Sequence, residues 1–225
     1  MSTPGSSERT KLQRMSYKSS ECISDLNSIL DDNLVAHVGV VIDGSPLVIP
    51  MAYGRSGDEL FLHGSSGSRL MRVLETEPEV CVSITELNAL KVARSNFNSG
   101  MHYRAVMIFG RVKVVPMDQK HHALDVVSDA MIPGRVGEAR PTTKKEVAAT
   151  LILSLSLTEA SVKISVNEVD DPPEDMNLGF WSGTIPLTAK AGEAIPADLE
   201  SLSLPIPDSI QRLFQGTQSS IGPGF

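Results

Sequence analysis

Apolar and polar positions alternate first with a helical period and then, over most of the chain, with a period of two. Ile23, Leu26, Ile29 and Leu30 share one face of a helix that Ser19 and Ser20 can cap and Asp31-Asp32-Asn33 closes. The runs Val35–Ile42 and Ser45–Tyr53 flank Asp43-Gly44, a dipeptide suited to a two-residue hairpin. A second turn at Ser56-Gly57-Asp58 leads to the strand Glu59–His63, so three adjacent antiparallel strands are predicted. GSSGS breaks that strand, and SRLMRVLET reads as a short helix stopped at Pro78. VCVSIT is a buried strand, ELNALKVARS fits strand or helix, and MHYRAVMIFGRVKVV is a long strand ending at Pro116. Asp118 is placed to cap an amphipathic helix carrying Leu124, Val127 and Met131, ended by Pro133-Gly134. A short helix from Lys144, the strands LILSLSL and SVKISV, the segment WSGTIPL and a final helix PDSIQRLF complete the reading, with Pro207 tolerated near the last helix start. No internal repeat is present. The fold class is mainly β (α+β), an antiparallel barrel with short helices between strands. One domain covers 1–225, with 1–15 a disordered lead-in and 187–225 a Pro-rich C-terminal extension.

Composition narrows the function classes. The 225 residues, 41% hydrophobic and 21% charged, suffice for a substantial core. Only 4% are aromatic, which argues against a stacking platform for single-stranded nucleic acid. The formal charge of −7 argues against general DNA binding and against attachment to anionic membranes. No apolar run approaches the roughly 20 residues of a membrane-spanning helix. The polar N-terminus MSTPGSSERTKLQR lacks the apolar stretch of a secretory signal. Cys22 and Cys81, far apart and without metal-ligand spacing, read as buried reduced thiols, and a cytoplasmic location is expected.

Three stretches can carry chemistry. In Leu62-His63-Gly64-Ser65-Ser66-Gly67-Ser68-Arg69-Leu70 a strand ends, a Gly/Ser loop follows, and a helix opens with hydroxyls and a guanidinium. Helix N–H groups, serine donors and arginine together suit a phosphate; the alternative is an ordinary capped helix start. In Leu47-Val48-Ile49-Pro50-Met51-Ala52-Tyr53 a proline within a strand marks an edge, a bulge or a ligand approach. In Asn98-Ser99-Gly100-Met101-His102-Tyr103-Arg104, His102 and Arg104 share one strand face and Tyr103 takes the other. Adjacent His121 and His122 are not spaced to clamp a metal, and no metal site is expected. His37, inside an apolar strand, reads as a hydrogen-bonded core residue; His63 is the histidine placed beside a site.

These stretches, in this order, resemble the FMN-binding split β-barrels related to pyridoxamine 5'-phosphate oxidase, antiparallel Greek-key barrels with short helices. The nearest subgroup is the flavin-nucleotide-binding and nitroimidazole-resistance-like proteins. The similarity is carried by SSECISDLNSIL, HVGVVIDGSPLVIPMAY, LFLHGSSGSRL, MHYRAVMIFG, SVKISV and WSGTIPL, and it runs from about Tyr17 to Pro186. The resemblance implies a homodimer holding FMN in clefts at the subunit interface. Ser68 and Arg69 would take the phosphate with Ser65 or Ser66 assisting. Val48, Ile49, Pro50 and Met51 would line the isoalloxazine through backbone groups, and Leu62 and His63 would lie near the ribityl chain or ring. Tyr103 and Trp181 would reach the flavin or the interface from the partner subunit.

Two departures limit the carry-over. Leu70 stands where oxidases of the family present a lysine. After Trp181 the chain has no histidine and Arg212 is its only arginine, so oxidation of pyridoxamine phosphate is not expected. The resemblance implies an FMN-dependent oxidoreductase or reductase of a small molecule, with His63, or else Tyr103, as proton donor. The alternatives are a non-catalytic flavin-binding or storage protein, a split barrel that binds or degrades haem, or one carrying a deazaflavin.

Overall fold

The structure, a computed structural model, describes residues 2–215. Its organising element is the hairpin of β2 (Val35–Ile42) and β3 (Ser45–Ser56). Asp43 and Gly44 sit at φ 51° and 77°, the left-handed pair that matches the strand twist, so Ile42 faces Ser45 and His37 faces Pro50. Gly57, at φ 56°, makes the next turn into β4 (Glu59–Ser65). The remaining strands are β1 (Ser19–Ser20), β5 (Glu79–Val92), β6 (Gly100–Arg111), β7 (Lys113–Val114), β8 (Thr150–Ser156), β9 (Ala160–Ser165) and β10 (Gly183–Pro186). The sheet runs β1-β9-β6-β5-β2-β3-β4-β8-β7, with β10 added to β5.

One strand closes the barrel. β6 and β7 are consecutive stretches parted at Val112; β6 pairs with β5 and β9, whereas β7 pairs with β8 at the far end of the sheet. The Val112 N–H turns aside to the Pro78 carbonyl. The ring is therefore β6/β7, β5, β2, β3, β4 and β8, while β9 and β1 form a wing outside it.

The interior holds Val38, Leu60, Leu62, Val82, Ile84, Ile108 and Leu153, and α1 (Ile23–Asp31) plugs one end with Leu26, Ile29 and Leu30. Each such side chain contributes about 1.5–3 kcal/mol on burial. The Tyr53 hydroxyl donates to the Leu30 carbonyl at 2.6 Å and ties the plug to β3. Burial, then the nearby Asp31, pushes its phenol well above the ordinary range. Outside the barrel, α3 (Lys120–Met131) packs Ala123 and Val127 on Phe61, Val115 and Ile152. Three helices remain short: α2 (Arg69–Leu74), α4 (Lys144–Ala149) with a Thr143/Glu146 capping box, and α5 (Leu199–Ser203). α6 (Asp208–Gln215) anchors the tail through Ser209, whose hydroxyl and N–H both go to Glu138.

Several sequence expectations need correction. The lead-in is seated over its described part: Thr10 is buried, the Ser7 hydroxyl donates to Glu159, and Arg9 lies over Phe109 and pairs with Glu79. Met1 and residues 216–225 of the expected lead-in and extension lie outside the described residues. Ser19 and Ser20 form β1 against β9, and Cys22 is the residue before α1. ELNALKVARS is mostly strand, because β5 keeps pairing with β6 past a bulge at Asn88, whose carbonyl receives the Leu187 N–H. α3 starts at Lys120 without a side-chain cap, so Asp118 does not cap it. Both cysteines are free, but Cys22 is exposed rather than buried. His37 points outward and is exposed, since the inward positions of β2 are Ala36, Val38 and Val40.

Candidate functional site

The outer face of the sheet carries the candidate site. On β3, Leu47, Ile49 and Met51 pack against the core, which turns Val48 and Pro50 outward. Register extends this face across the sheet: Pro50 faces His37 and Val48 faces Gly39; His37 and Gly39 face Ser83 and Cys81; Ser83 and Cys81 face Met107 and Phe109. Val41, Val48 and Met107 are 64%, 61% and 41% exposed there. Exposed apolar side chains gathered on a strand surface make this face a candidate contact surface.

His63 stands at the margin of this face. It follows Phe61 at two-residue spacing, lies opposite Ile152, and is half-buried beside the α3 cluster. Its Nδ1 is buried with no hydrogen-bond partner among the described residues. Burial pushes its pKa below the ordinary 6.5, which keeps the imidazole neutral. A neutral imidazole keeps one N–H, so it can donate through that nitrogen and accept or ligate through the other.

The Gly/Ser loop divides its hydroxyls by function. Ser68 precedes α2 and its Oγ accepts the Met71 N–H at 3.1 Å; Ser65 Oγ accepts the Gly67 N–H at 3.3 Å. The hydroxyl protons of Ser65 and Ser68 have no acceptor among the described residues. Ser66 has already donated its proton to the Ala149 carbonyl at 3.1 Å. Arg69 is exposed with no ion pair among the described residues, and so is Arg72, one helical turn on. Sequence reading passed over Arg72, although the i, i+3 spacing from Arg69 was visible. Leu62 and Leu70 are core residues, so only their backbone groups can meet a ligand. Gly64 lies against Met71: a Cβ there would stand 2.8 Å from Met71 Cγ.

Val48, Pro50, His63, Ser65, Ser68 and Arg69 thus gather along β3, β4 and the loop that follows. Tyr103 lies on the same outer face but on β6, three strand spacings or about 14 Å from β3. Lys163 stands 5.7 Å over its ring, and the ring lines a separate cavity. Trp181 is 64% exposed just before β10, with its indole against Gly183. Within one protomer neither residue joins the cluster. Among the described residues no group of His, Cys, Asp and Glu is arranged to hold a metal ion through those side chains alone, and no helix is long and apolar enough to cross a membrane.

Comparison with known proteins places this architecture. A family model described as pyridoxamine 5'-phosphate oxidase matches residues 24–164. The structure of the FAD and heme binding protein from Mycobacterium smegmatis is 39% identical, with a TM-score of 0.84 over 87% of this chain and 97% of that one. The flavocytochrome Anf3 from Azotobacter vinelandii is 33% identical, with a TM-score of 0.83 over 94% of this chain and 98% of that one. A putative 5-nitroimidazole antibiotic resistance protein from Bacteroides thetaiotaomicron shares the fold at 21% identity and TM-score 0.56, over 65% of this chain and 86% of that one. No curated protein sequence matches the chain. The matched span runs from α1 into the last residues of β9, the whole closed barrel and the β9 strand of its wing, so the chain belongs to the pyridoxamine 5'-phosphate oxidase family and has its split-barrel fold.

Proposed function

We propose that this protein is a flavin- and haem-carrying oxidoreductase, with FAD rather than FMN as its flavin. The observation that carries the reading is the 39% identity, over 87% of this chain, to a protein that binds FAD and haem. When bound, the flavin accepts a hydride or single electrons and the haem exchanges single electrons. The chain's residues supply binding and orientation. Val48 and Pro50 offer a flat apolar wall for a ring, and Ser65, Ser68 and Arg69 offer donors to a phosphate. Arg72 adds a second guanidinium one turn away, which suits the two phosphates of FAD better than the single phosphate of FMN.

A histidine that held the haem iron would need to be a neutral imidazole with a nitrogen that no protein group engages. His63 fits that demand. His102 does not, because its Nε2 is engaged by the Asn167 carbonyl at 2.7 Å.

The reading includes a homodimer formed through the outer sheet face. Support comes from the exposed Val41, Val48, Leu87 and Met107, and from a tail whose Ile195 and Leu199 are 91% and 86% exposed although both its ends are anchored. A two-fold pairing through that face would bring Tyr103 and Trp181 toward the partner's flavin.

The test is the absorption spectrum of the purified protein, with mass spectrometry of what denaturation releases. Flavin bands, a Soret band and FAD are expected. His63→Ala should lose the Soret band and keep the flavin. A protein with flavin bands alone, loaded with FMN, would return the assignment to a flavin reductase or a flavin store; a colourless one that takes up no flavin would remove the function altogether.

A further inference from the structure

The Asn98–Tyr103 stretch borders a cavity of about 740 Å³. Its walls come from the segment before β1, the start of β6, the end of β5 and the loop after β9. None of its lining residues belongs to the Val48–Met51 strand or the His63–Arg69 loop. The volume is that of an ordinary small-ligand site.

The lining carries three kinds of chemistry. Two amines enter it: Lys18, whose Nζ is held at 2.9 Å by Ser165 Oγ, and Lys91, which has no ion pair among the described residues. Ser165 and His102 are each 4% exposed, so the floor that orients Lys18 is fixed, and the Asn167 carbonyl locks the His102 ring. Two carboxylates, Glu168 and Asp170, line it as well, both exposed. Two aromatic rings stand at its mouth, Tyr17 at 71% and Phe97 at 95% exposure, an unusual state for a phenylalanine beside a cavity.

Amines for a phosphate, carboxylates for ribose hydroxyls and open rings for a base are the parts a nucleotide needs. We propose that this cavity binds an adenosine 5'-phosphate group, with the phosphate on Lys18 and Lys91, the ribose toward Glu168 and Asp170, and the adenine between Tyr17 and Phe97. The carboxylates favour a free ribose 2'-hydroxyl over a 2'-phosphate, which they would repel. The group belongs to a diffusible nucleotide such as NADH, because the phosphates of FAD are assigned to Arg69 and Arg72, outside this cavity. The site stands on its own residues and does not rest on the flavin reading.

Calorimetric titration of the protein as purified with 5'-AMP, repeated after flavin removal, tests the proposal. Lys91→Ala and Phe97→Ala serve as variants, because both side chains are free of the core. A diffusible nucleotide predicts that AMP binds the loaded protein and that each variant binds it about tenfold more weakly. AMP that binds only the stripped protein overturns the proposal, because the site would then be one that the flavin fills. AMP that binds neither form overturns it as well. So does AMP that binds wild type and both variants alike. A wild-type protein that takes up no flavin at all sinks the flavin reading and leaves the AMP arm intact.

Discussion

Gly54 offers a sharp test of how α3 is seated. It lies on β3 opposite Phe61, and α3 crosses directly over it. A methyl group on its Cα would stand 2.8 Å from the Val126 carbonyl oxygen and 2.8 Å from Val127 Cα, both backbone atoms that cannot rotate away. Carbon contacts relax at about 3.5–4.0 Å, so Gly54→Ala must lift α3 by about 0.7–1.2 Å. Ala123 and Val127, each 1% exposed, would then part from Phe61 and Ile152. A gap of that size forfeits about a quarter to a half of each contact's attraction, and overpacking of this kind costs about 1–3 kcal/mol. In a chain of this length that lowers Tm by about 2–12 °C, taking about 2–4 °C per kcal/mol. Urea unfolding and calorimetry on equally loaded samples would measure it, because bound cofactor alone shifts the midpoint. Gly137→Ala, with nothing within 4 Å of its added methyl, is the control. A Gly54→Ala protein within about 0.5 kcal/mol of that control would refute the seating of α3 described here.

Three further outcomes are expected. Arg69→Ala and Arg72→Ala should each weaken flavin retention by about tenfold or more in equilibrium dialysis, with Arg72→Ala sparing FMN if the second guanidinium serves FAD. Tyr53→Phe removes the donor to the Leu30 carbonyl and should cost about 1–3 kcal/mol in urea unfolding, with the flavin spectrum unchanged. In protein stripped of haem, burial holds the His63 imidazole below its unfolded value of 6.5, so the unfolded chain binds more protons between the two values. Stability should therefore fall as pH drops below 6.5 and level off once the folded group is protonated, and His63→Gln should flatten that slope.

The barrel was legible because its strongest signals are local. Asp43-Gly44 and Ser56-Gly57-Asp58 dictate turns through their own backbone preferences, and the three strands they join fall where the alternation put them. The Gly/Ser break put the start of a helix at Ser68 and Arg69, whereas the split of Val48 and Pro50 outward from Ile49 and Met51 inward came only with the structure. Alternation failed where partners are distant in sequence. Ser19 and Ser20 became strand because β9 offers an unpaired edge. ELNALKVARS was ambiguous until β6 and β10 paired with it, and the bulge at Asn88 is invisible to a period-two pattern. His37 was misplaced because an apolar strand facing a barrel on one side and a coverable surface on the other looks buried throughout. Of the cavity around Lys18 and Lys91 the sequence marked only the Asn98–Arg104 stretch, since its walls come from four separate parts of the chain.

The way β6 runs into β7 also governs the order in which the molecule can form. β2, β3 and β4 join neighbours in sequence and need short loops, so that meander can assemble early. The ring cannot shut until β8 exists, because β8 receives β4 on one side and β7 on the other. Closure is thus a late, non-local event, and until then the faces of Leu60, Leu62 and Leu153 stand open to solvent. The excursion that delays it, α3 through α4, is a loop whose closing entropy grows only with the logarithm of its length. Insertions in the 132–143 connection should slow folding little, whereas a defect in β8 leaves a half-barrel with nothing to close on.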